Sequence, residues 1–268
     1  MPDVYSRPDE LDPETVAGLA EAIELRAKDP VQRGFVDAYM SRLELPRHAR
    51  ILEIGCGTGA IARMLALRSG VAEVVGVDPV RGLLDRAREL AADFPNISFH
   101  LGDGGQLPVD DACFDAVVIH TVLSHTLDPK AVLAEARRAL VPGGALVVFD
   151  GDYASLTLGV REDDPIEACA AAFRSSHIND PWIMRRAARL IEEAGFAALQ
   201  VQSHGYAQIF EPSYMLTVVG RGADALAGEG VIGRDLAEAL KSEGRRRVVD
   251  GSFFGQVSYV SITASRPV

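Results

Sequence analysis

Three runs of consecutive apolar residues limit most strongly what this chain can fold into: Val74-Val75-Gly76-Val77, Ala116-Val117-Val118-Ile119 and Ala145-Leu146-Val147-Val148-Phe149. A strand with one face in water alternates apolar and polar side chains, whereas a strand covered on both faces is apolar throughout. Such runs belong to a parallel sheet with helices on either side. Strands are predicted at 50–54, 72–77, 97–101, 114–119 and 145–150. Segments with helical period lie between them at 60–68, 80–93 and 129–140, the last opened by Asp128-Pro129. This alternation reads as an α/β, doubly wound, mostly parallel sheet.

Two further helices precede the first strand. Asp12-Pro13 and Asp29-Pro30 each place a capping carboxylate before a proline at the first helical position. Val16, Leu19, Ala20, Ile23 and Ala27 then share one face, as do Val31, Phe35, Tyr39 and Leu43. Residues 1–48 are therefore expected to form a helical cap, and 49–268 the main domain. Past the fifth strand, Asp180-Pro181 to Gly195 reads as one helix, and LQVQSHGYAQIF and QVSYVSITASRP as two more strands. The stretch 212–254 between them is too long for a turn and carries a helical pattern at Ile232, Leu236, Ala239 and Leu240, followed by Phe253-Phe254. It and the insertion 151–180 are expected to roof a pocket together with the N-terminal helices.

Composition narrows the partners. The 268 residues are 48% apolar, enough for a substantial core, and the formal net charge of -11 excludes a polyanionic partner. Arg245-Arg246-Arg247 is too short for a nucleic-acid surface; at the end of a helical stretch its cations suit the helix dipole. Cys56, Cys113 and Cys169 form no CxxC pair and read as small buried residues in a reducing cytoplasm. The polar, acidic opening MPDVYSRPDELDPE is unlike a secretory signal, and no apolar run is long enough to span a membrane. Asp150 and Asp152 flank a glycine with no third ligand placed by sequence, so no metal site is expected.

The candidate site lies where the first strand meets the first following helix. ILEIGCGTG, residues 51–59, ends an apolar run in Glu53 and then places glycines at 55, 57 and 59. Glycines there let the backbone turn tightly and let a ligand approach without a Cβ in the way. Asp78 closes the second strand, where a carboxylate can accept from both hydroxyls of a ribose. Together these features point to a nucleoside cofactor. Gly55, Gly57 and Ala60 satisfy the dinucleotide pattern, so NAD fits this much of the sequence.

Four segments in order, ILEIGCGTG, VVGVDP, GDGGQLPVDDACFDAVVIH and ARRALVPGGALVVFD, resemble the motifs of class I, Rossmann-like S-adenosylmethionine-dependent methyltransferases. The likeness is to the broad type-11 group that includes the ubiquinone and menaquinone enzymes. It runs from about residue 49 to 150 and is only one of layout beyond. It implies a seven-stranded sheet of order 3-2-1-4-5-7-6, S-adenosylmethionine as cofactor, and in-line methylation of an O, N or C atom of a small organic molecule. By the same resemblance, Glu53 with Gly55, Gly57, Thr58 and Gly59 would hold the methionine moiety, and Asp78 with Pro79 the ribose. Asp103 and Gly104 would read the adenine, and His120 would line the floor beneath the sulfonium. His125 and His177 are candidate catalytic bases, because imidazoles titrate near neutrality.

One departure stands out. The quinone enzymes' Glu-x-Ser after the PGG strand is replaced by Phe149-Asp150-Gly151-Asp152, which argues against a quinone precursor. Two alternatives are an NAD-dependent oxidoreductase, whose Tyr-x-x-x-Lys pair does not occur, and a methyltransferase fold turned to binding or another reaction. Phe35, Tyr39, Tyr153, Phe173, Trp182, Phe253 and Phe254, within an acidic chain, favour a neutral or cationic acceptor, partly apolar or aromatic. No nucleic-acid or membrane partner is expected, and the protein is expected to be a monomer or homodimer.

Overall fold

The computed structural model describes residues 11–268; the polar opening residues 1–10 lie outside it. Both expected N-caps form. Asp12 Oδ1 accepts from Thr15 N at 2.9 Å to start α1 (Pro13–Lys28), and Asp29 Oδ1 accepts from Val31 N at 2.8 Å to start α2 (Pro30–Met40). The chain continues as β1 (Ala49–Ile54), α3 (Ala60–Ala66), β2 (Val71–Asp78), α4 (Arg81–Leu90), β3 (Ile97–Leu101), β4 (Phe114–His120), α5 (Pro129–Ala139) and β5 (Leu140–Thr157). After these come α6 (Glu167–His177), α7 (Ala187–Glu193), β6 (Ala197–Gln208), α8 (Ser213–Gly228), α9 (Arg234–Val249) and β7 (Gly255–Ser265).

One sheet of order β3-β2-β1-β4-β5-β7-β6 joins the seven strands. β1 to β5 pair in parallel, and β7 runs antiparallel to both β5 and β6. The apolar runs now have their physical reason. Ile51, Val74, Val118, Val147 and Phe149 join one core with α2, α3, α4, α6, α8 and α9. Their neighbours Leu52, Val75, Val117, Leu146 and Val148 join a second core with α5 and α7. Successive side chains point to opposite faces, and both faces are dry. Through Phe35, Val36, Tyr39 and Met40, α2 belongs to the first core, while α1 lies over α4 through Leu19, Val80 and Leu83. Among the described residues, no helix is long and apolar enough to cross a membrane.

Two local expectations are corrected, and one, the helical 212–254 segment, is refined. The single helix expected from 180 to 195 is a 3-10 turn, Ile183–Arg185, followed by α7, with a break at Arg186 (φ -116°). Side-chain bonds explain it: Asp180 accepts from Trp182 N, Arg186 pairs with Asp180, and Arg185 is drawn to Asp152. The 212–254 segment holds two helices, parted by Gly230 at φ 72°. Finally, the arginine triplet is not merely a complement to the dipole. Arg247 turns inward, and its guanidinium meets buried Asp164 through two bonds of 2.6 and 2.9 Å, tying α9 to the segment before α6.

Candidate active site

β1, β2 and β4 end along one edge of the sheet, and a cavity of about 530 Å³ opens there. Its floor comes from Glu53, Gly55 and Gly57 after β1, Asp78 and Pro79 after β2, Asp103 and Gly104 after β3, and His120 to Val122 and His125 to Asp128 after β4. Its roof comes from α1 (Leu19, Ile23, Arg26), β5 (Tyr153), α6 (Phe173, His177) and α8 (Tyr214, Arg221).

Glycine is required in the β1–α3 loop. Gly55 and Gly57 stand at φ 71° and 53°, in the left-handed region, and a Cβ at Gly55 would overlap Val122. The Gly57 N–H donates to Asp78 Oδ2 at 2.7 Å, and the Val80 N–H to Asp78 Oδ1 at 2.8 Å. These bonds lock the loop to the end of β2. Each carboxylate oxygen keeps capacity for a further donor. Burial raises Asp78 to a pKa of about 6, against those two backbone bonds. Glu53 is also buried, its Oε2 meets no hydrogen-bond partner, and burial and then the charge of Asp78 hold its carboxyl well above the usual range. A buried acceptor without a donor is costly. Here it faces a cavity, where an ammonium could complete it.

Asp103 is exposed at the far end of the floor, and its Oδ1 accepts from Gly105 N at 2.7 Å. The buried His120 bonds through Nδ1 with the Tyr39 hydroxyl at 3.1 Å and stacks on Phe149, ring centroids 4.4 Å apart. Burial first, then Arg26, holds His120 well below its usual pKa, so its ring stays neutral at neutral pH. His125 lines the cavity with its ring edge toward Tyr153. Its loop is held by buried Asp150, which accepts from Ser124 N at 3.0 Å and Ser124 Oγ at 2.9 Å. His177, the last residue of α6, stacks on Phe173 at 5.1 Å. Both histidines therefore reach the same cavity as the residues expected to hold the cofactor.

Two of the expected cofactor residues do not line it. The Thr58 hydroxyl turns away and donates to Glu24 Oε1 at 2.5 Å, within a group where Arg63 also binds Glu24. Gly59 caps α3 and leaves room for the Phe99 ring. Of the aromatic residues expected around the acceptor, Tyr153 and Phe173 line the cavity, whereas Phe35, Tyr39 and Phe253 are core and Trp182 is 51% exposed elsewhere. Asp152 is taken by Arg185, and no cluster of three metal-ligating side chains forms among the described residues.

Sequence reasoning missed Arg26, Thr121, Tyr214 and Arg221. Arg26 donates to Thr121 Oγ1 at 2.8 Å, and Thr121 sits at φ 56°, a strained backbone for a β-branched residue at the end of β4. Arg26 falls on the stripe of Leu19 and Ile23, so a cation on an apolar helix face was the available signal. No comparable sign marked Arg221.

The comparisons agree with this geometry. Residues 52–148 match the family model described as a methyltransferase domain. An uncharacterised protein from a Streptomyces fradiae transposon is 32% identical over 166 residues, 62% of this chain and 48% of that one. Demethylmenaquinone methyltransferase of Deinococcus radiodurans is 38% identical over 121 residues, 45% of this chain and 50% of that one. The chain thus spans about half the length of the curated relatives it matches. The solved phosphoethanolamine N-methyltransferase 2 of Haemonchus contortus, in complex with S-adenosylhomocysteine, shares the fold at TM-score 0.62 and 17% identity, over 99% of this chain and 61% of that one. The sheet order, the motif-bearing segment and the glycine loop agree: residues 52–148 of this chain match a methyltransferase domain, set within a class I, Rossmann-like methyltransferase fold.

Proposed function

We propose that the protein methylates a small organic molecule, using S-adenosylmethionine held on the floor of the cavity. The observation that carries this reading is the pair of buried carboxylates, Glu53 with its unpartnered Oε2 and Asp78 with spare acceptor capacity, beside a glycine loop facing the cavity. S-adenosylmethionine, when bound, supplies a methyl group on a positively charged sulfur. Glu53 would receive its ammonium, Arg26 its carboxylate, Asp78 the ribose hydroxyls and Asp103 the adenine amino group. His120, neutral, would add no opposing charge beneath the sulfonium.

The rest of the work belongs to the roof. Tyr153, Phe173 and Tyr214 exclude water and orient the acceptor, and positioning of this kind contributes several kcal/mol to a two-substrate reaction. His125 and His177 stand on that side, where either could take a proton from an acceptor that arrives protonated. Phe149-Asp150 in place of the quinone enzymes' sequence, with Asp150 spent on Ser124, supports an acceptor other than a quinone precursor.

Titration calorimetry tests the reading. S-adenosylhomocysteine should bind at micromolar levels or better, with NAD inert; tighter binding of NAD would overturn it.

A further inference from the structure

We propose that the acceptor carries an anionic group, a carboxylate or ionised phenol, on an aromatic or apolar body, and that Arg221 receives that group. This rests on the methyltransferase reading and narrows its acceptor.

The charges lining the cavity are segregated. Its carboxylates, Glu53, Asp78, Asp103 and Asp128, all belong to the floor. Among the described residues, the roof contributes Arg26, Arg221 and His177 beside Tyr153, Phe173 and Tyr214, and no carboxylate. The overall charge of -11 favours a neutral or cationic acceptor, but that sum is taken over the whole chain, and among the described residues the wall facing the acceptor carries Arg221 and no carboxylate.

Arg221 is placed by close helix packing. At Gly222 a Cβ would overlap the Cys169 carbonyl, so glycine lets α8 lie directly against α6. One turn along α6 from Cys169 is Phe173, and the Arg221 guanidinium stands over that ring, 5.2 Å from its centroid. Phe173 in turn lies nearly parallel to His177, at 11°. A guanidinium stacked on an aromatic face keeps its in-plane N–H fork available for a carboxylate. Other part-buried arginines have been given such partners: Arg247 has Asp164 and Arg63 has Glu24. Arg221 makes no ion pair among the described residues. A cation stacked on the aromatic wall of the cavity, without a carboxylate partner among the described residues, is set for an anionic ligand. Arg26 lies nearer the floor, bonded to Thr121, and serves the cofactor's own carboxylate in the reading above.

The test uses the full chain saturated with S-adenosylhomocysteine. Benzoate, phenylacetate, indole-3-acetate and 4-hydroxybenzoate are each titrated against their primary amides and corresponding amines, with binding read by ligand-observed NMR. At least one acid should bind about tenfold more tightly than its amide, the ratio expected of one charge-assisted contact. Arg221→Gln should erase that preference and Arg221→Lys retain part of it. S-adenosylhomocysteine affinity should stay within about twofold in both variants, as for independent sites. The inference fails if no acid outbinds its amide, if amines bind as well as acids, or if the preference survives Arg221→Gln. Failure of the wild type to bind S-adenosylhomocysteine sinks the methyltransferase reading and this inference with it; intact cofactor binding without an acid preference sinks this inference alone.

Discussion

Asp78 on the floor and Asp164 behind the roof are 5% and 4% exposed, and each accepts two backbone N–H bonds. Their acidities nonetheless part in opposite directions. Burial raises Asp78 to about 6; burial pushes Asp164 up as well, but the Arg247 guanidinium and the two backbone N–H bonds together outweigh it and lower that carboxyl to about 2. The two backbone bonds are common to both residues; Asp164 differs in having the guanidinium and in being the less strongly desolvated of the two. In the roof the chain completes its own ion pair, and the result is an anchor between α9 and the segment before α6. On the floor it leaves two carboxylates, Glu53 and Asp78, close together and without an ion-pair partner among the described residues. Such an arrangement costs stability in the ligand-free protein, and a ligand bearing an ammonium and hydroxyls recovers it.

The largest effect that could break this comparison is at Asp164. Asp164→Asn removes the charge opposite a guanidinium that is only 10% exposed, and should lower unfolding free energy by about 3 kcal/mol in urea titrations. Affinity for S-adenosylhomocysteine should change by no more than about twofold. A large loss of affinity would mean that the anchor and the cofactor floor are one unit.

Asp78 sharpens the contrast through pH. Its folded pKa of about 6 lies above the ordinary carboxyl value of 3.8, so its contribution to stability is fully present below pH 3.8 and is lost as pH rises through about 6. The loss amounts to at most about 3 kcal/mol across that window. Ligand-free protein should therefore gain stability as pH falls from about 7 toward 4, and Asp78→Asn should flatten that slope. S-adenosylhomocysteine affinity should move the other way, weakening below about pH 6 as the acceptor is protonated. Asp164 acts in a separate window. Its stabilisation is present above pH 3.8 and is lost as pH falls through about 2.

The smallest effect is expected at Thr58. Because its hydroxyl serves Glu24 and not the cavity, Thr58→Val should cost about 1 kcal/mol of stability for a lost hydrogen bond. Cofactor affinity should be unchanged within about twofold. A tenfold loss of affinity would return Thr58 to the cofactor site.

Much of the floor was legible along the chain because its signals are local. Runs apolar at every position require two covered faces, Asp-Pro pairs start helices, and glycines after Glu53 mark a loop that must bend where other residues are strained. Asp78 could be placed because the end of a parallel strand is itself a position in the site. The turn of the loop could not be read so finely: Thr58 and Gly59 share the motif with Gly57, but the left-handed steps around them direct one to Glu24 and the other to Phe99.

The roof was decided by tertiary structure. Arg221 and Arg247 are chemically identical in the sequence, and both lie on helices. One reaches the buried Asp164, 83 positions away, and is neutralised; the other is carried by the close contact at Gly222 onto Phe173 and keeps its charge facing the cavity. Local sequence sets which residues a helix carries and which face is apolar. Whether a guanidinium becomes a strut or a ligand depends on the carboxylate that packing brings within about 4 Å, because the strength of a charge pair is set by distance and burial.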